Sequence, residues 1–213
     1  MNRALLIVGL AVLALAGVGA ITYTANRALA STETETGTVT ESVRRIVVDA
    51  DAGDVKLVAG GDRVRIHQRR RYVVRAPKVT QRVRDGVLTL RGSCPPTGVL
   101  HCSTDFTVDL PRGVAAEVHT DVGDVVAEAL EAPEIRVTAN VGDVLLDLGR
   151  SAALVDARSD VGDVEVAVPS GTYRIDVGTD VGDRQIGGLV VDARSPRTIR
   201  AGSDVGDVTV RGR

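Results

Sequence analysis

The sequence predicts an all-β protein built as a single β-solenoid, with coils of about 20 residues and one apolar helix at the amino end. Three observations predict this fold class: a glycine motif recurs at a regular interval, apolar and polar residues alternate strictly around it, and aromatic residues are scarce. Aromatic side chains make up 2% of the 213 residues. The core must therefore be assembled from small aliphatic residues, which suits a thin stack better than a thick globule.

The recurring motif is Asp-Val-Gly-Asp-Val or a close variant of it. The glycines of the continuous copies are separated by 19, 20, 20 and 24 residues, and an outlying copy lies upstream at Asp51–Val55. Such a period is typical of repeat architectures. The repeat-turn glycines are Gly53, Gly123, Gly142, Gly162, Gly182 and Gly206.

Each of these glycines occupies the second central position of a four-residue turn. A type II turn needs a positive φ there, which glycine accepts. Type I′ would also need a positive φ at the preceding valine, and type II′ would need glycine first. We therefore expect a corner between successive strands of a solenoid, with a type I turn and a glycine bulge as the hairpin alternative.

The residues around each glycine predict the core. Positions seven and five residues before it are apolar and the positions between them are polar, as expected for strands with one buried face. An antiparallel sandwich or barrel would show a similar period and stays open as an alternative. The inward columns are Ala116, Ile135, Val155, Ile175 and Ile199, followed by Val118, Val137, Ala157, Val177 and Ala201.

The amino end contains an uncharged, almost wholly apolar stretch from Ala4 to Ile21. This stretch is long enough to span a bilayer, so we expect residues 1–30 to be a retained membrane anchor. A cleaved signal peptide is the alternative, since Ala28-Leu29-Ala30 has the pattern that a signal peptidase prefers. In both cases Arg3 places the rest of the chain outside the cytoplasm, as a single-pass membrane protein or, after cleavage, a secreted one.

The remainder divides into a polar linker at residues 31–41 and a solenoid domain at 42–213. Between residues 63 and 91 the chain is strongly basic, with Asp85 as its only acid. A solvated strand face explains such a segment, and a docking patch for an anionic envelope polymer or anionic lipid headgroups is the functional alternative. Nucleic acid is not an expected partner, because Tyr72 alone could stack on a base there.

Two cysteines, Cys94 and Cys102, bracket a short loop. In an exported protein, cysteines this close are expected to form a disulfide. A zinc site from Cys94, His101 and Cys102 would lack a fourth ligand and the usual spacing.

No cofactor, catalytic residue or firm metal site is predicted. The carboxylates after the glycines should stack at one corner, where they cap turns in water or, as a weak alternative, bind calcium. None of His67, His101 and His119 lies in a recognised nucleophile motif. The weak metal candidates are Asp124, Asp143, Asp163, Asp183 and Asp207.

The repeats resemble the Thr-Asp-Ser-Gly-Asp-Val repeats of a bacterial family of unknown function labelled putative adhesin, with valine in the family's serine position. Thr120-Asp121 and Thr179-Asp180 keep the opening pair, and the segments at 77–90 and 94–111 are also similar. The likeness covers about residues 42 to 211, and actinobacterial members look closest. It implies a β-solenoid of the cell envelope, often anchored at its amino end, with no agreed catalytic residues.

The functional expectation is a non-enzymatic, extracytoplasmic scaffold or adhesion-type protein of the cell envelope. Its repeated β-surface would contact a protein or polymer, or copies would stack end to end through an open edge at Val208–Val210. The alternative, from a different class, is a calcium-dependent glycan-binding or polysaccharide-cleaving β-helix protein.

Overall fold

The computed structural model describes residues 30–95 and 102–213, which form eighteen β-strands. In chain order they are β1 (Ser31–Thr38), β2 (Arg45–Ala52), β3 (Val55–Ala59), β4 (Arg65–Tyr72), β5 (Lys78–Arg84), β6 (Val87–Ser93), β7 (Cys102–Leu110), β8 (Ala115–Val122), β9 (Val125–Leu130), β10 (Glu134–Val141), β11 (Val144–Leu148), β12 (Leu154–Val161), β13 (Val164–Val168), β14 (Thr172–Val181), β15 (Arg184–Gly187), β16 (Val190–Val191), β17 (Thr198–Val205) and β18 (Val208–Gly212).

The strands form two nine-stranded sheets that share one core. The first sheet has the order β1-β4-β7-β3-β9-β11-β13-β18-β15, and the second has the order β16-β14-β17-β12-β10-β8-β2-β6-β5. Among the described strands, antiparallel pairing is confined to one end, where β1 pairs with β4, β4 with β7 and β5 with β6. The parallel pairing elsewhere agrees with a β-solenoid-like fold and not with an antiparallel sandwich or barrel.

Each coil consists of a strand of the second sheet, a corner and a strand of the first sheet. Equivalent side chains of neighbouring coils pair in register, so the predicted inward columns form continuous stacks. In one column Ile135 pairs with Ala116 on one side and Val155 on the other, and all three are at most 1% exposed. Burial of each such aliphatic side chain contributes about 1.5–3 kcal/mol, and less for alanine. The order of coils along the stack is β6–β7, β2–β3, β8–β9, β10–β11, β12–β13, β17–β18 and β14–β15.

The order of the coils in space differs from their order in the chain. The carboxyl-terminal coil is interior, because β17 pairs with β12 and β14, and β18 pairs with β13 and β15. The expectation of an open edge at Val208–Val210 is therefore wrong. The step of 24 residues from Gly182 to Gly206 lengthens the connection after β15, which allows the chain to pass the end coil and return inside it.

The opposite end of the stack is closed by antiparallel strands. Residues 31–38, expected to belong to a polar linker, form strand β1, which pairs along its whole length with β4. All eight residues of β1 are exposed, so the strand is held by backbone pairing and side-chain ion pairs, which hydrophobic periodicity does not reveal. The salt bridges from Arg70 reach Glu33 at 3.1 Å and Glu35 at 3.5 Å.

The two-residue turn at Asp85-Gly86 joins β5 to β6, as the sequence predicts for this dipeptide. Both residues have positive φ, 51° and 75°, and Arg84 pairs with Val87 across the turn. This is the backbone of a type I′ hairpin, whose twist matches that of the strands it connects.

The predicted anchor at residues 1–30 lies outside the described residues apart from Ala30. Among the residues that the structure describes, none belongs to a helix with the length and apolar character of a membrane span.

Candidate functional site

The repeat-turn glycines form one stacked corner. Their φ angles lie between 127° and 151°, a region that is essentially restricted to glycine and more extended than a type II turn requires. A Cβ on Gly162 would lie 2.1 Å from the carbonyl oxygen of Gly142, and a Cβ on Gly142 would lie 2.1 Å from that of Gly123. The corners approach so closely that no side chain fits there.

A ladder of carboxylates follows the glycines. The Oδ1 of Asp124 accepts the backbone N–H of Asp143 at 2.9 Å, and the Oδ1 of Asp143 accepts that of Asp163 at 2.8 Å. The ladder continues through Asp207 to Asp183, each rung at 2.8 Å. Each carboxylate thus caps the corner of the next coil. The hydrogen bond from a backbone N–H offsets the repulsion between neighbouring carboxylates.

The weak calcium candidates are these same residues. Within residues 30–95 and 102–213, no group of three or more His, Cys, Asp or Glu side chains is placed to hold a metal ion. One oxygen of Asp124, Asp143, Asp163 and Asp207 is instead engaged by a backbone N–H. The arrangement matches turn capping.

Asp105 forms the first rung, although it is not part of a repeat. Its Oδ1 accepts the N–H of Asp54 at 3.3 Å, and its Oδ2 accepts Arg69 at 2.9 Å and Arg71 at 2.8 Å. The carboxylate is almost buried, so the two guanidinium groups offset its desolvation. Sequence reasoning missed this role, since the only signal is the position of Asp105 at the first coil's corner.

The basic segment separates into two parts. The arginines of β4 mostly pair with carboxylates, including Arg65 with Asp109 at 3.8 Å, as the solvated-face interpretation expects. On the edge strand β5, Lys78, Arg82 and Arg84 make no ion pair with a described residue. Charged edge strands discourage pairing with other chains.

Cys94 and Cys102 form a disulfide, with sulfurs 2.07 Å apart. The bond closes the connection between β6 and β7, where the other coils have a glycine corner. The N–H of Cys94 donates to Asp51 at 2.9 Å, which ties the loop to the adjacent coil. Because both thiols are consumed, the zinc alternative fails, and its third candidate, His101, lies outside the described residues.

The other two histidines contact polar side chains, and His67 has two such partners, Thr36 and, at 3.9 Å from its Nε2, Asp109. His67 Nδ1 lies 2.9 Å from Thr36 Oγ1, and His119 Nε2 lies 3.3 Å from Asp121 Oδ1. Both contacts are exposed and link strands or columns of the stack. His67 thus lies between the Thr36 hydroxyl and the Asp109 carboxylate on an exposed strand face.

The most distinctive surface is a line of exposed valines beside the glycines, which we call the valine ridge. Its members pair in register from coil to coil and are 47–62% exposed. Neighbouring strands lie about 4.8 Å apart, so the ridge is ~19 Å long. The alternation of inward and outward side chains along each strand would place these valines in the core. The change of chain direction at the corner instead points their side chains toward solvent. The ridge consists of Val122, Val141, Val161, Val205 and Val181.

Carboxylates flank the valine ridge on both sides. The ladder lies after the glycines, and a second column of Asp and Asn lies before the valines, where Asn140 Nδ2 donates to Asp121 Oδ1 at 2.9 Å. The ridge is therefore an apolar line between two polar, mainly acidic borders. Exposed apolar side chains with a polar rim are typical of contact surfaces.

Comparison with known proteins supports the fold. A putative cell adhesion protein from Clostridium sporogenes superposes with a TM-score of 0.61 at 13% identity, covering 86% of this chain and 100% of that chain. A putative adhesin from Parabacteroides merdae superposes with a TM-score of 0.47 at 14% identity, covering 84% of this chain and 81% of that chain. A putative adhesin from Bacteroides fragilis superposes with a TM-score of 0.41 at 17% identity, covering 86% of this chain and 97% of that chain. No protein-family model and no curated protein matches the sequence. The first of these likenesses shows that the chain shares the fold of the Clostridium sporogenes protein.

Proposed function

We propose that this protein is a non-enzymatic, extracytoplasmic adhesion-type scaffold of the cell envelope that contacts a protein or polymer through the valine ridge. The observation that carries the proposal is the ridge itself: five stacked valines, 47–62% exposed, between two acidic columns. Exposed valine costs free energy in water, and its regular repetition gives a straight surface suited to an extended partner.

A non-enzymatic role is supported by the placement of the titratable side chains. The carboxylates of Asp124 and Asp143 cap corners, and the carboxylate of Asp105 pairs with arginines of the neighbouring strand β4. Such contacts stabilise strands, and they do not converge on a cleft where a substrate could be activated.

An extracytoplasmic location is supported by the disulfide between Cys94 and Cys102. Disulfides persist in oxidising compartments and are rare in the cytosol. The apolar stretch at residues 4–21 would anchor the chain in the cell membrane, and cleavage after Ala30 would release it.

The ridge can be tested by changing valine to serine, which removes apolar surface without adding charge. We would express the full chain with Val141→Ser, Val161→Ser and Val205→Ser on a bacterial host and measure attachment to surfaces coated with envelope protein or with wall polymer. Reduced attachment to one coating is expected. The matched control is Val190→Ser with Val191→Ser, which changes exposed valines away from the ridge. Equal attachment by wild type and ridge variant would remove the proposal.

A further inference from the structure

The stack has one end without a partner strand. Strand β14 pairs with β17 on one side, and on its other side β16 covers only Thr172 and Tyr173. Strand β15 pairs with β18 on one side. In the part of the chain that the structure describes, no strand pairs with the outer edge of residues 174–181 or 184–187. We call these two edges the open end.

The open end exposes apolar columns that are buried elsewhere. Ile175 and Val177 are only half-buried, and Ile186 is 47% exposed, whereas the paired Val210 of the neighbouring coil is fully buried. An unpaired strand edge next to apolar side chains is a template for pairing with another chain.

The opposite end is less available to a second copy. It is closed by β1, β4 and β5, and β5 carries the charged residues Lys78, Arg82 and Arg84 at its edge. Strand β1 is the outermost strand of the first sheet at this end. Contact between two open ends leaves strand β1 of each copy at the far end.

We propose that two copies of this protein join at their open ends about a two-fold axis through Val177, with β14 antiparallel to the same strand of the second copy. In this register Arg174 lies opposite Asp180 of the partner subunit, and Asp180 lies opposite Arg174 of the partner subunit. Asp176 lies opposite Gly178 of the partner subunit, so no like charges meet. The proposal goes beyond the function of the valine ridge and uses a different surface.

Other registers are less favourable. If the axis passes through Asp176, this residue lies opposite Asp176 of the partner subunit. If the axis passes through Gly178, Asp176 lies opposite Asp180 of the partner subunit. Directly opposed like charges destabilise a strand pair. An axis through Ile175 would leave only residues 174–176 free to pair, because β16 already pairs with Thr172 and Tyr173, whereas the axis through Val177 leaves residues 174–180 free.

The contact is expected to be reversible. The open end measures roughly 20 Å by 10 Å, from a rise of about 3.3 Å per residue over residues 174–180 and a sheet separation of about 10 Å, which is small for a specific interface. Arg184 also occupies an inward position that valine fills in the other glycine corners, as at Val208 and Val164. A charge at this position limits the apolar contact and opposes permanent association.

A cysteine at the axis tests the geometry directly. Residues paired across antiparallel strands have Cα atoms about 4.5–5.5 Å apart, which is within the range that a disulfide spans. The full chain with Val177→Cys, in a neutral detergent under mild oxidation, should therefore form a covalent dimer. Gly178→Cys is the matched control, because the two introduced cysteines would lie diagonally across the strand pair and not directly opposite each other. Arg82→Cys probes the opposite end of the stack.

Charge reversal tests the register. Arg174→Asp in the Val177→Cys background should reduce dimer formation about tenfold, because it converts two attractive cross-strand pairs into repulsive ones. Adding Asp180→Arg should restore the dimer. The proposal is overturned if Val177→Cys stays monomeric, if Gly178→Cys links equally well, or if the charge swap gives no recovery. Mixed linking of Val177→Cys with Arg82→Cys would show head-to-tail stacking instead and would also overturn it.

Discussion

The backbone N–H of Asp207 donates to the Oδ1 of Asp163, 44 residues earlier, at 2.8 Å. The N–H of Asp183 in turn donates to the Oδ1 of Asp207 at 2.8 Å. The last coil of the chain thus lies between two coils that precede it. The carboxyl-terminal coil is inserted into the stack, and the end coil, β14–β15, precedes it in the sequence.

A short deletion from the carboxyl end should therefore disturb the stack more than a longer one. Deleting residues 198–213 removes an interior coil and leaves β14 and β15 without their partners, so residues 172–197 should become sensitive to protease. Deleting residues 172–213 removes two whole coils and should leave a shorter stack that still melts cooperatively. Limited proteolysis and thermal melting measure both outcomes. Protection of residues 172–197 in the shorter deletion would show that the end coil docks directly on β12 and β13, as their matching register allows.

Gly162→Ala should destabilise the protein by about 3 kcal/mol or more. The new Cβ would lie 2.1 Å from the carbonyl oxygen of Gly142, and the backbone φ of 147° is unfavourable for alanine. Denaturant unfolding measures the change. Gly178→Ala is the control, because a Cβ there meets nothing within 4 Å, and its effect should stay within about 0.5 kcal/mol.

The carboxylate ladder should contribute to stability one rung at a time. Asp143→Ala removes the acceptor for the N–H of Asp163 and should cost about 1 kcal/mol. Asp143→Asn keeps an acceptor oxygen and should cost less. Asp183→Ala, at the last rung, should have almost no effect, because no N–H of a described residue donates to its carboxylate. Equal losses at positions 143 and 183 would show that the ladder is not the cause.

Replacing both Cys94 and Cys102 by serine should cost about 2–3 kcal/mol, the loop-closure value for a short loop. The two cysteines are eight positions apart, and their loop replaces the glycine corner only between β6 and β7. The variant should remain folded with a lower unfolding midpoint. Complete unfolding of the double variant would mean that the disulfide holds the whole stack.

Tyr72 should ionise later than an ordinary tyrosine. Its hydroxyl donates to Glu33 at 2.5 Å, and this hydrogen bond to the carboxylate raises the pKa above the usual 10.0. Because the folded pKa lies above the unfolded one, the contribution to stability is present below the unfolded pKa and lost as pH rises through the folded pKa. Ultraviolet titration of the phenolate, compared with Tyr72→Phe, measures the shift. Glu33→Gln should bring the pKa back toward its ordinary value.

Much of the fold could be predicted from the sequence because the local rules are strong. The corners need glycine because φ is 144° at Gly142 and 147° at Gly162, and because neighbouring corners leave no space for a Cβ. Each glycine motif in the sequence therefore identifies a corner. Alternation identifies the residues that face inward, such as Ile135 and Val155. The ridge was not predictable this way, because the corner reverses the direction of Val141 and its equivalents.

The sequence by itself determined the coil, with its length, its glycine corner and its inward aliphatic residues, and it predicted the disulfide between Cys94 and Cys102. Only the tertiary structure decided which coil lies beside which. Ile199 pairs with Val155 on one side and Ile175 on the other, and each of these aliphatic residues would fit the others' places. Repeats with the same register are interchangeable in local energy, so their order is decided by connection length and by long-range strand pairing, which a periodic pattern does not encode.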